Sequence, residues 1–233
     1  MVYKFLFYFI LISVLAFSCS SERHNMISKV YHNTTARYNA YFIAKEKMKE
    51  AEVIIYNSRN DDFNRVLEIF PEIESGTISN ISPLLEDCIK KASLPIQRHK
   101  NSKWVDDCYI IVGKARYYKQ DYENAITTFK YVNTQSEDVE AKHQVLILLI
   151  QVFINTGEYN NCVAVMDHIE KEKLNKHNSR DLYLTKAHLY NKLENYEKVV
   201  ENLTPALPLI RKKEKRPESI LLLHRSIKNQ RIT

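Results

Sequence analysis

The side chains able to carry chemistry are present in this chain, but they are not spaced for it. Eight histidines (His24, His32, His99, His143, His168, His177, His188 and His224) are scattered, with no HExxH and no i,i+4 pair that would set two ligands on one helix face. The acid pairs Asp61-Asp62 and Asp106-Asp107 stand at the starts of helical segments, where carboxylates favour the helix dipole and free N–H groups. No serine sits in a nucleophile-elbow context. Three glycines, Gly76, Gly113 and Gly157, lie at least 37 residues apart, so no glycine-rich loop can bring backbone N–H groups to a phosphate. Cys88, Cys108 and Cys162 have no CxxC spacing and read as small core residues, with one bridge among them the alternative in an oxidising compartment. The expectation is a non-enzyme with no metal site and no cofactor.

Charge adds little. Lys and Arg number 34 against 28 Asp and Glu, a net charge of +6, and much of the excess falls in the run Arg211-Lys-Lys-Glu-Lys-Arg216. That run is either a patch for acidic partners or a solvated inter-helix loop. Nucleic-acid binding has no further support, since finger spacing, an aromatic RNP-like motif and a sustained basic helix face are all missing.

One residue does carry a chemical expectation. Lys4 followed by the apolar run Phe5 to Phe17 reads as a signal peptide over residues 1–18. As a helix the run would rise about 20 Å, short of the roughly 30 Å core of a bilayer. Leu15 upstream of Ser18-Cys19 resembles a loose bacterial lipobox, which makes Cys19 the expected site of lipid attachment, a palmitate-type acyl chain, with 19–27 as a tether. Ala16-Phe17-Ser18 as an ordinary signal-peptidase site is the competing reading. The expected location is the cell envelope, anchored by lipid in the outer membrane and facing the periplasm.

Nearly every segment after the tether has helical period, and it repeats. Asp121-Tyr122, Glu158-Tyr159 and Asn195-Tyr196 recur at a spacing of 37 residues. Counting Asp106 as position 1, Gly113 takes position 8, Tyr122 position 17, Ala125 position 20 and Phe129 position 24, the order of small and large residues found in tetratricopeptide repeats. Positions 8 and 20 must be small where two helices cross, and positions 4, 7, 11, 17 and 24 should fill the space between hairpins. The second copy starts at His143 and the third at Arg180. Asp121 and Asn195 should cap the second helix of their repeats. The fold expected is all-α: a right-handed superhelix of tetratricopeptide-like hairpins, incomplete at its C-terminus.

Upstream, Thr34–Asn57 reads as one amphipathic helix with Asp61–Phe70 as its partner, Glu74–Asn80 as a loop and Pro83 to about Leu94 as a helix. Residues 28–101 are thus diverged hairpins, and 102–233 hold about three repeats plus an unpaired terminal helix opened by Pro217. The first helices of such repeats line a concave surface. There Ile110, Ile147 and Leu184 would form an apolar strip, and Lys114, Tyr117, Tyr118, Gln151, His188 and Lys192 are the expected partner-binding residues.

Three strings carry a family resemblance: Tyr31-His-Asn-Thr-Thr-Ala-Arg-Tyr-Asn-Ala-Tyr-Phe42; Ser102-Lys-Trp-Val-Asp-Asp107 leading into Gly113-Lys-Ala-Arg-Tyr-Tyr118; and Phe129-Lys-Tyr-Val-Asn-Thr134. Together they resemble the SprE/PorW family of gliding-motility and type IX secretion lipoproteins of Bacteroidetes, from about Cys19 to about Pro208, which looks like an N-terminal portion of the family's longer chains. The resemblance implies a membrane-anchored, non-enzymatic adaptor or scaffold whose partners are ring, motor or translocon proteins of the type IX secretion apparatus, with no small-molecule substrate. Alternatives are a repeat lipoprotein of the outer-membrane β-barrel assembly type, a glycan-binding uptake lipoprotein, and a truncated remnant.

Overall fold

A computed structural model describes residues 26–60 and 67–210. The signal peptide, Cys19, most of the tether, Asp61-Asp62, the basic run at 211–216 and the terminal helix beginning at Pro217 lie outside the described residues. Every regular element among the described residues is helical. In chain order they are α1 (Met26–Ala36), a π-helical turn (Arg37–Tyr41), α2 (Phe42–Asn57), α3 (Ser75–Arg98), α4 (Val105–Tyr118), α5 (Tyr122–Gln135), α6 (Val139–Thr156), α7 (Tyr159–Ile169), α8 (Lys176–Lys192), α9 (Tyr196–Ala206) and a 3-10 turn (Leu207–Leu209). None of these helices is long and apolar enough to cross a membrane.

The hairpins α4–α5, α6–α7 and α8–α9 are the three repeats, and the first helices also pack on one another, α4 on α6 and α6 on α8. This is a helix-hairpin solenoid. Its middle core joins Ala125, Phe129 and Val132 of α5 to Val145, Leu149, Ile150 and Phe153 of α6 and Cys162, Met166 and Ile169 of α7. Each first helix ends in the same way. Gln120, Gly157 and Glu194, one period apart, adopt left-handed φ values of 61°, 73° and 54°. The following N–H reaches back five residues in every case: Asp121 to Arg116, Glu158 to Phe153 and Asn195 to Tyr190. The repeat is therefore written in the turn as well as in the core, although only Gly157 is a residue that adopts this conformation without steric cost.

Capping follows expectation only in part. Asn195 accepts the N–H of Lys198, but Asp121 makes no side-chain cap bond and its carboxylate receives the Asn124 amide instead. The α6 cap is Asp138, which accepts the N–H groups of Glu140 and Ala141. Position 17 is also less uniform than expected. Tyr122 is half-buried against the core, whereas Tyr159 and Tyr196 are exposed.

The N-terminal half differs more from its reading. Helix is already present at Met26, inside the expected tether. The stretch expected as a loop, Glu74–Asn80, is largely helical because α3 runs from Ser75 straight through Pro83 and Pro95. What holds it is one stripe, Ile81, Leu85, Cys88, Ala92 and Pro95, buried against α2 and α4. Residues 67–70, expected at the end of a helix, are not helical. Leu67 and Ile69, two residues apart, are both buried, the spacing of extended chain rather than of a helix face.

Two of the strings that carry the family resemblance meet in this region. Tyr41 stacks on Trp104 with ring centroids 4.8 Å apart, and the Arg37 guanidinium lies over the same indole at 5.4 Å. The Asn33 side-chain oxygen accepts from Ser102 Oγ at 3.1 Å and from the Lys103 N–H at 2.9 Å. The stacking residue Tyr41 ends the π turn, where it and Ala40 are both buried.

Candidate functional site: the concave groove

The first helices α4, α6 and α8, together with α2 and residues 70–73, line a groove of about 940 Å³. All six expected partner-binding residues, Lys114, Tyr117, Tyr118, Gln151, His188 and Lys192, are on its wall. Helical spacing accounts for this. Lys114 and Tyr118 are four apart on α4, and His188 and Lys192 are four apart on α8, so each pair shares a face.

Most of these polar groups are already engaged. Lys114 is ion-paired with Glu52 of α2, and the Tyr118 hydroxyl donates to the same carboxylate at 3.1 Å. Tyr117 accepts from the Asn155 amide at 2.9 Å, and Gln151 donates to Thr185 Oγ1 at 2.9 Å. At the mouth, Asp181 is held between His177 and Arg180; burial works to raise its pKa, but these two partners keep it below the ordinary carboxylate value.

The far end is filled by the chain itself. Residues 67–73 lie across α8 and α9, with Leu67 and Ile69 in a core formed by Leu184, Ala187, Val199 and Leu203, and Phe70 packed against it. Phe70 meets the His188 ring edge-on at 5.1 Å. Lys192 Nζ pairs with Glu68 at 3.1 Å and Glu72 at 2.5 Å. The Lys192 hydrogen bond and charge hold the Glu72 carboxyl below its usual pKa. Burial opposes the charge on Lys192, yet the two carboxylates raise its pKa nonetheless. His188 is 4% exposed, and burial, assisted by the Lys192 cation, pushes its pKa from 6.5 down to about 4.

The apolar strip is corrected in part by the structure. Ile147 lines the groove, though it is almost fully buried, whereas Ile110 lies in the middle core and Leu184 in the core shared with Leu67 and Ile69. Sequence reasoning placed Asn191 on the concave face but missed Glu52, Glu68, Phe70 and Glu72. The Leu67-x-Ile69 alternation and Pro71 were the available signals for an extended segment.

Residues 121–206, just over a third of the chain, match the family described as the SusR N-terminal TPR domain. The chain carries tetratricopeptide repeats. The match runs from the turn before α5 to the end of α9, so it covers the groove walls formed by α6 and α8. It supports the repeat and not specifically the SprE/PorW resemblance. No curated protein matches the chain. Tetratricopeptide repeats are typically protein-interaction modules.

Proposed function

We propose that the protein is a membrane-anchored, non-enzymatic adaptor of the type IX secretion and gliding-motility machinery, binding envelope proteins of that apparatus through the concave face of its repeats. The observation that carries the binding role is the groove of about 940 Å³ between α2, α4, α6 and α8, walled by tyrosines, glutamines and paired charges. Aromatic residues in concave sites supply much of the energy of an interface. The choice of machinery rests on the three sequence strings. Tyr41 against Trp104, and Asn33 against Ser102 and Lys103, give two of those strings a shared structural job in this chain. The anchor rests on Cys19 and its flanking residues. Met26, Val30, Tyr31, Tyr38 and Phe42, along the first helical rod, are exposed large apolar residues of the kind that mark contact sites.

The test is a tagged pull-down from detergent-solubilised native envelopes, read by mass spectrometry beside the Cys19→Ala variant. The expected result is recovery of type IX ring, motor or translocon proteins, with the variant lost from the membrane fraction. Recovery of β-barrel insertion subunits would replace this machinery with the other. Recovery of chaperones and proteases alone would refute the adaptor.

A further inference from the structure

Residues 67–73 are held in the way a captured peptide is held. Their backbone carbonyls are taken by side chains of other elements: Leu67 by the Asn191 amide at 3.4 Å, Glu68 by the Arg59 guanidinium, and Ile73 by the Gln120 amide at 3.3 Å. Their carboxylates, Glu68 and Glu72, converge on one ammonium group, Lys192, with Phe70 between them on the face of α8. The fit is incomplete. His188 Nδ1 lies 3.6 Å from Glu68, beyond hydrogen-bond reach, and has no bonded partner. Asn191 Oδ1 is likewise buried without a partner. A buried polar atom left in this state loses the hydrogen bond it would make in water, so the segment is held less firmly than its contacts alone suggest.

From this we infer that residues 67–73 are a built-in occupant of the groove, and that a partner protein enters the same end with an extended acidic segment of like chemistry, an aromatic residue flanked by two carboxylates, displacing the occupant. The inference rests on the concave face being the partner-binding surface. Charge complementarity selects the occupant. Lys192 already accommodates two carboxylates, and an incoming N–H placed against Asn191 Oδ1 satisfies an atom the resident segment leaves unbonded. Tethering gives the resident segment a high effective concentration, so a free peptide competes poorly until the resident contacts are weakened.

The experiment is fluorescence anisotropy with a labelled peptide of residues 67–74, LEIFPEIE, titrated into the full chain and two variants. Phe70→Ala/Glu72→Lys removes the resident anchors; Glu68→Gln/Glu72→Gln removes only their charge and guards against a folding defect in the first. Both are expected to bind the peptide tighter than wild type, the first by at least tenfold. Adding Lys192→Glu to either is expected to weaken binding at least tenfold, and a charge-reversed peptide, LKIFPKIK, is expected not to bind. Equal affinity in wild type and both variants, no binding to any of them, or equal binding of the reversed peptide would each overturn the inference. The assay is independent of the envelope pull-down: absence of type IX proteins there leaves this result standing, and absence of peptide binding here overturns the inference even if they are recovered.

Discussion

Gly113→Ala is expected to destabilise the protein, although alanine normally stabilises a helix interior by about 1 kcal/mol over glycine. A Cβ at position 113 would stand 2.3 Å from Cε1 of Phe129 and under 3 Å from two further carbons of the ring. That ring is fully buried at the centre of the α4–α5 hairpin and cannot swing aside. Overpacking of this kind costs about 1–3 kcal/mol, so a net loss of about 1–2 kcal/mol is expected. Phe129→Ala removes the ring and is expected to cost about 3–5 kcal/mol through lost burial and the cavity left behind. The decisive comparison is the double variant. With the ring absent, Gly113→Ala should become stabilising by about 1 kcal/mol, because helix propensity is then its main remaining effect. Urea denaturation of the four proteins checks this, and an unchanged sign for Gly113→Ala in the Phe129→Ala background would contradict the packing described.

The second large effect is acid sensitivity at the filled end of the groove. His188 faces Phe70, Lys192, Glu68 and Glu72, and its folded-state pKa of about 4 lies below the ordinary 6.5. The unfolded chain therefore binds this proton more readily, and the associated stability is fully present above pH 6.5 and lost as pH falls from there toward 4. Between pH 7 and pH 4.5 the loss amounts to about 2 kcal/mol. Asp107 acts in the opposite sense. Burial raises its carboxyl from 3.8 to about 6, so the folded chain binds that proton more readily and stability from this site rises as pH falls through 6. Wild type alone would show the two effects partly cancelled. The difference between wild type and His188→Gln isolates the first: the variant's loss between pH 7 and pH 4.5 should be smaller by about 2 kcal/mol in chemical denaturation. Equal losses would place His188 in water rather than beneath residues 67–73.

The repeats were legible because small and large residues recur at fixed offsets: Gly113 with Phe129 and Ala125, Cys162 and Val199 at the crossing positions. Helical spacing from those offsets also put Lys114 with Tyr118, and His188 with Lys192, on the lining of the groove. The misreadings share a cause, which is that local signals were weaker than distant packing. The serine, glycine and asparagine of 75–80 would favour a loop on their own, but burial of Ile81 and Leu85 draws the helix through them. Asp61–Phe70 had helix-like composition, yet the apolar pocket for Leu67 and Ile69 is made by Leu184, Val199 and Leu203, more than a hundred residues away. No local pattern announces a partner at that distance. The apolar strip held only at Ile147 for a related reason: Ile110 and Leu184 at the same position serve core packing, which sequence spacing cannot separate from an open groove floor.

The central claim is that partners dock on the concave face of the repeats. It is tested most directly by placing a photo-crosslinking phenylalanine analogue at Tyr117, on the groove wall, and at Tyr131, exposed away from it, and irradiating intact envelopes. The account predicts a discrete adduct with a type IX ring, motor or translocon protein from Tyr117 and none from Tyr131. The same adduct from Tyr131, or no adduct from Tyr117, would contradict it.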